Sequence, residues 1–164
     1  MTTSESHSRI AAIRDTIQRS YHELGQLIDG PIGALEHARL YQPCAPDEWT
    51  LMENIVHVTE FMPYWGDEIA KLVVHPGQNF GRTKEHEGRL QAIRQHGHDS
   101  LELAKKDLAS SYARLEHVLD SLNDNDLALI GHHSKFGDQN IEWFLDEFVV
   151  RHLADHIEQM KVCL

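Results

Sequence analysis

Residues 101–122 read LELAKKDLASSYARLEHVLDSL. Leu101, Ala104, Leu108, Tyr112, Leu115, Leu119 and Leu122 return every three or four positions, nearly a strict heptad, and only a helix gathers that spacing onto one face. Asp99 with Glu102 is the expected cap at its start. Upstream, Thr50 followed three residues later by Glu53 reads as a capping box, opening a helix expected to reach about Val74 with Pro63 as a possible kink inside it. Between these two helices, His75 to His98 is rich in glycine and poorly periodic. It reads as a long connection with one or two helical turns near Leu90 and Ile93. Ile10, Ile13, Ile17, Tyr21, Leu24 and Ile28 stripe a first helix that Gly30-Pro31 is expected to end. A short helical stretch over Ala34 to Leu40 follows, then an extended connector across Pro43, Cys44, Ala45 and Pro46. Asn123 to Gln139 reads as a loop, and a last helix runs from about Ile141, with Ile141, Leu145, Phe148, Val149 and Met160 facing inward. Four amphipathic helices with no alternating strand pattern and no repeat give an all-α fold: one domain over residues 1–164, a single four-helix bundle with a long crossover between its second and third helices and no strands.

Composition narrows the function classes. Hydrophobic residues make up 41% of the 164 residues and charged residues 25%, ordinary globular usage. Fifteen Lys and Arg against 26 Asp and Glu leave a net charge of −11, which repels phosphate backbones and anionic headgroups, so neither nucleic acid nor membrane is an expected partner. No apolar run approaches a membrane span, and the opening MTTSESHSRI has no signal-like apolar core, so a cytoplasmic location is expected. Cys44 and Cys163, far apart and without CxxC spacing, are read as reduced thiols.

Histidine is the unusual count, at thirteen. His152 and His156 stand at i, i+4, one turn apart on one helix face. Advancing about 100° per residue from Ile141, Leu145 falls at roughly 40°, Phe148 at roughly 340°, His152 at roughly 20° and His156 at roughly 60°, which places both imidazoles within the apolar stripe. Buried imidazoles must find hydrogen-bond partners or bind something. A transition metal such as zinc, nickel, copper or iron would satisfy both, whereas Mg²⁺ and Ca²⁺ prefer oxygen ligands. Two ligands make a weak site, and periodicity leaves the third open among His22, His57, His117 and the His132-His133 pair.

The run Trp49-Thr50-Leu51-Met52-Glu53-Asn54-Ile55-Val56-His57 resembles the opening of the second helix in the DinB-like superfamily. Phe148-Val149-Val150-Arg151-His152-Leu153-Ala154-Asp155-His156-Ile157-Glu158-Gln159-Met160 resembles that family's closing HxxxH helix, and Phe136-Gly137 shortly before it also matches. The resemblance implies an up-down bundle of the DinB/YfiT-like type, commonly a homodimer, with His57, His152 and His156 as a metal triad. It implies a divalent transition metal, zinc or nickel foremost, and a metal-dependent enzyme acting on a small-molecule substrate. Relatives include transferases and isomerases that use low-molecular-weight thiols, and others described as metal-dependent hydrolases. A three-histidine site leaves a coordination position open, so a bound thiol or water can be activated there. The alternatives are a non-catalytic metal-binding bundle and the same fold with no metal at all.

Other residues take plainer readings. Glu60 and Asp155 stand near the triad and are readable as ligand-orienting acids or as solvated helix-edge acids, the second being preferred for Glu60. His96, His98, His132 and His133 read as exposed loop residues, Trp65 and Trp143 as packing, and Trp49 as packed beneath the start of the second helix. Arg82, Arg89 and Arg94 have the geometry to hold a carboxylate or an anionic thiol cofactor, with solvated surface arginines as the ordinary explanation.

Overall fold

The computed structural model describes residues 8–164; residues 1–7, where most of the leader reading falls, lie outside the described residues. Helix α1 spans Arg9–Leu27 and is capped by Ser8, whose hydroxyl accepts from the Ala11 amide. Gly30-Pro31 does not end it. The chain runs on through a π turn, Ile28–Ile32, closed by the Gly33 amide on the Ile28 carbonyl at 2.9 Å, and this wider turn accommodates a proline that has no N–H to donate. A 3-10 turn over His37–Tyr41 takes the place of the short stretch expected at Ala34 to Leu40.

Helix α2, Leu51–Val74, opens on the capping box: the Glu53 amide donates to the Thr50 hydroxyl at 3.0 Å and the Thr50 amide to the Glu53 carboxylate at 2.8 Å. Helix α3, Glu87–His96, is longer than the turn or two expected there. Helix α4, Leu101–Ser121, is capped by Ser100 rather than by Asp99, whose carboxylate instead meets His96 Nδ1 at 2.7 Å. The last rod comprises α5, Ile141–Leu145, a π turn over Asp146–Arg151, and α6, His152–Val162.

The expectation of no strands is corrected. Ile130–His133 (β1) and Gly137–Asn140 (β2) form an antiparallel hairpin with Ile130 opposite Asn140 and His133 opposite Gly137. The crossover docks onto it: the His132 amide donates to the Gln78 carbonyl at 2.9 Å and the Phe80 amide to the His132 carbonyl at 2.8 Å. Two segments read as separate loops thus satisfy each other's backbone groups, a non-local pairing that periodicity within either one does not reveal. Gly81, at φ +81°, lies where a Cβ would stand 2.9 Å from both His133 and Trp65, so no larger residue fits the junction.

Ion pairs and contacts fix the helix directions. Arg14 pairs with Asp120 and Lys105 with Asp29, so α1 and α4 are antiparallel. Arg9 meets Glu142 and Lys161 meets Glu23, so α1 and the closing rod are parallel. Gly97 approaches Glu53 while Asp67 pairs with Arg114, so α2 and α4 are parallel. The order is up, down, down, up, and the long crossover between the second and third major helices carries the chain back to the end where α2 began. The core between the helices holds Ile17, Leu24, Ile55, Phe61, Met62, Leu115, Leu119, Phe144 and Leu153. Among the described residues no helix is long and apolar enough to cross a membrane.

The reading of Cys44 and Cys163 as free thiols is also corrected. The connector before α2 crosses the end of the bundle where α6 finishes, bringing the two Cα atoms to 5.0 Å, and the residues form a disulfide that closes 119 residues of sequence. A bond across so long a loop restricts the unfolded chain and stabilises the fold by about 2–4 kcal/mol. Reduction, or replacement of both cysteines by serine, is therefore expected to lower the melting temperature by several degrees; equal melts under reducing and oxidising conditions would contradict the bond.

Candidate metal centre

The antiparallel packing of α2 on α6 sets His57 opposite His152 and His156. Their ring centroids lie 4.7 to 5.0 Å apart, His57 Nε2 is 3.1 Å from His152 Nε2, and one nitrogen from each of the three rings falls within 4.8 Å of the others. Of the candidates left open by spacing, the structure brings His57 to the pair. His132 pairs with Asp138 at the surface, His133 folds into the hairpin turn, and neither His22 nor His117 belongs to the cluster.

The helical wheel needs one change. The π turn just before His152 inserts a residue's worth of rotation, so the buried stripe passes through Leu145, Val149, Leu153, Ile157 and Met160. Phe148, His152 and His156, spaced four apart, form a second row on the flank toward α2. The histidines are therefore edge residues of a cleft, although His57 is only 1% exposed and His156 6%.

Aromatic side chains enclose the cluster. Phe61 stacks on His152 at 4.5 Å, and Trp49 lies parallel to His156 at 5.8 Å and edge-on to His57 at 4.9 Å. Trp49 thus packs against the imidazoles themselves, a correction to its placement beneath the helix start. Burial, which outweighs the opposing charge of Asp155 on His152, pushes all three imidazoles down: His152 to about 4, His156 to about 3, and His57 further still, the neighbouring rings, Arg89 and Arg82 adding to the effect of desolvation on His57. Neutral imidazole is the form that ligates metal.

Sequence reasoning missed Asn54. Its carboxamide oxygen lies 2.8 Å from His156 Nδ1, while its NH₂ donates to the Thr50 carbonyl at 3.0 Å. The second bond fixes which end of the amide faces the ring, so His156 donates from Nδ1 and its lone pair resides on Nε2. A polar residue three positions before His57, on the same face of an otherwise apolar helix segment, was the available signal. Asp155 is exposed and makes no bond to the triad. Glu60 is not a solvated acid: only 18% exposed, it forms a two-pronged pair with Arg82, whose side chain is 5% exposed, at 2.6 and 2.5 Å. That pair ties the crossover to α2, and Arg82 also lies 3.7 Å over the Tyr64 ring. His133 is buried as well: its Nδ1 accepts from the Lys135 amide at 3.0 Å and its Nε2 faces the Arg82 carbonyl at 3.3 Å. Arg94 is exposed and paired with Glu87, as read.

The triad suits a metal ion. Two imidazole nitrogens each about 2.0–2.1 Å from one ion stand roughly 3.3 Å apart at a tetrahedral angle, close to the His57–His152 separation of 3.1 Å. The sequence matches the DinB superfamily over residues 12–160. This chain belongs to the DinB superfamily. In structure it is similar to YfiT from Bacillus subtilis, described as a probable metal-dependent hydrolase with an unusual four-helix bundle topology, with a TM-score of 0.74 and 13% identity over 98% of this chain and 91% of that one. It is also similar to TT2238, described as a four-helix bundle protein, with a TM-score of 0.65 and 18% identity over 93% of this chain and 98% of that one. At these identities the likeness speaks for the DinB-like fold. No curated protein matches the sequence.

Because the imidazoles titrate far below their ordinary value near 6.5, the unfolded chain takes up protons that the folded chain refuses as pH falls. Their contribution to stability is complete above about pH 6.5 and is lost on descent toward pH 4. The metal-free protein is expected to melt lower at about pH 5 than at about pH 7.5, with a smaller difference in a His152→Gln/His156→Gln variant; an undiminished difference would assign the acid sensitivity elsewhere.

Proposed function

We propose that this protein is a divalent-metal-dependent enzyme whose ion is held by His57, His152 and His156, and that it activates a thiol or water toward a small-molecule electrophile. One observation carries the reading: three neutral imidazoles converge beside a cavity of about 570 Å³ lined by His57 and His152, and among the described residues no fourth His, Cys, Asp or Glu joins them. A ligand set of three leaves a position for a reactant, the arrangement that separates catalytic from structural sites. A bound divalent ion supplies Lewis acidity there, lowering the pKa of a thiol or water so that the nucleophile forms near neutral pH.

The chain's own residues prepare that position. Asn54 holds His156 in one tautomer, Phe61 and Trp49 shield the rings from water, and the Glu60–Arg82 pair fastens the crossover over the cavity. The proposal takes zinc or nickel as the metal, a low-molecular-weight thiol as the first candidate nucleophile, and a cytoplasmic homodimer as the working form. Disulfides are rare in the cytosol, so the Cys44–Cys163 bond is the observation that weighs against this location.

Untagged protein is expected to take up one zinc or nickel ion per chain, to keep it at pH 5, where the buried imidazoles are still neutral, and to release it only as pH falls below about 4. His152→Ala should weaken binding by far more than it lowers the melting temperature of the metal-free protein, and Asn54→Ala should weaken it by about 10–100-fold. Stoichiometry well below one, unchanged by added Zn²⁺ or Ni²⁺, would reject the site. With metal bound, consumption of glutathione by chlorodinitrobenzene or hydrolysis of an activated ester should require the ion; uptake without either reaction would reject the catalytic reading.

A further inference from the structure

The cavity beside the triad carries a charge opposite to that of the chain. In a protein of net charge −11, its charged lining is Arg82, Lys84, Arg89 and Lys135 against Glu85 alone. Arg82 is neutralised by Glu60. Among the described residues the other three cations form no salt bridge, and the acids near Arg89, Glu60 and Glu85, act on it only at longer range. Of the fifteen Lys and Arg, all within the described residues, ten form salt bridges; Arg39, Lys84, Arg89, Lys106 and Lys135 do not, and three of these five line this one cavity.

Arg89 is the telling member. It is half-buried on α3, holds its guanidinium 4.9 Å from the Trp49 ring centroid, and donates to the Lys84 carbonyl at 2.8 Å. It also borders a second cleft, on the Trp49 side of His152 and His156, and so stands at the junction of the two openings that reach the triad. Desolvation lowers its pKa, and its charge in turn disfavours protonation of all three imidazoles. A guanidinium without a salt-bridge partner so close to a site for a cation opposes the metal unless an anion joins them. The same cavity is lined by three aromatic rings, Trp65, Phe136 and Phe148.

We propose that the cavity binds a small molecule with a carboxylate head and a flat apolar body, that Arg89 takes the carboxylate with Lys135 and Lys84 adding long-range attraction, and that Trp65, Phe136 and Phe148 take the body. Guanidinium meets carboxylate in a two-pronged geometry that an ammonium cannot match, which gives Arg89 the orienting role and the lysines an attractive one. This rests on the metal-site reading only for the order of events at the triad; the cation cluster exists without the ion.

Titration calorimetry with benzoate and benzamide, which share shape and differ in charge, tests it on metal-free and zinc-loaded protein. Benzoate is expected to bind at least ~10-fold more tightly than benzamide, and the preference to grow when zinc is present. Arg89→Gln should remove most of the preference and Arg89→Lys should restore part of it, while zinc affinity in Arg89→Gln stays equal or rises because a repelling charge is gone. Lys135→Glu, at an exposed position, should weaken benzoate several-fold and leave benzamide unchanged. Equal affinities for the two probes, or an Arg89→Gln variant that binds zinc and keeps the full preference for benzoate, would overturn the proposal. Arg89-dependent benzoate binding in protein that takes up no zinc would uphold it and reject the metal centre instead.

Discussion

Keeping three imidazoles uncharged in one place is the condition on which the site depends. None of the rings is hydrogen-bonded to a carboxylate, so protonating any one would leave a desolvated cation facing two further rings. The packing of Phe61 and Trp49 against the rings creates this condition, and Asn54 directs its result by assigning the His156 proton to Nδ1. Polar groups held this way sit ready for an electrophilic ion and are a burden without one, as the unpartnered buried Nδ1 of His57 illustrates. A helical bundle needing only stability would fill the same space with leucine.

Topology supplies the rest of the enclosure. Since α2 and α4 run parallel, the chain must travel back along the bundle between them, and the returning segment lies across the cleft between α2 and α6. Its attachments follow in order: backbone bonds to the hairpin near residue 80, the Glu60–Arg82 pair, then Arg89 over Trp49. An antiparallel α2 and α4 joined by a short turn would leave the histidines open to solvent, so the direction of one helix and the burial of the triad are linked.

The two arginines of this crossover, Arg82 and Arg89, play different parts. For Arg82, the matched carboxylate offsets desolvation, and the pair serves as a fastening. Arg89, on the helix that follows, forms no salt bridge among the described residues and rests against a ring face and a carbonyl, and its charge reaches the imidazoles. In an acidic chain, positive potential confined to one concavity selects what enters by charge before shape comes into play.

Which features were legible in the sequence follows from how far their causes reach. The Thr50–Glu53 capping box, the extent of α2 and the stripe of α4 rest on residues within a turn of one another, and each stands where spacing placed it. The i, i+4 histidines were equally plain, and the tryptophan-to-histidine run that resembles the family supplied the third. The disulfide, the docking of the crossover onto the hairpin, and the Glu60–Arg82 pair join residues from 22 to 119 positions apart, and no pattern within one segment carries them. The π turn before His152 is the instructive miss. It lies within one helix, yet a constant advance per residue has no means of showing it, and its effect is to move the histidines off the oily stripe onto the cleft edge. A wider turn in that position weakens the helix's own hydrogen bonding, and what it gains is orientation: the row Phe148, His152 and His156 faces α2, where a regular helix would have aimed it into the core.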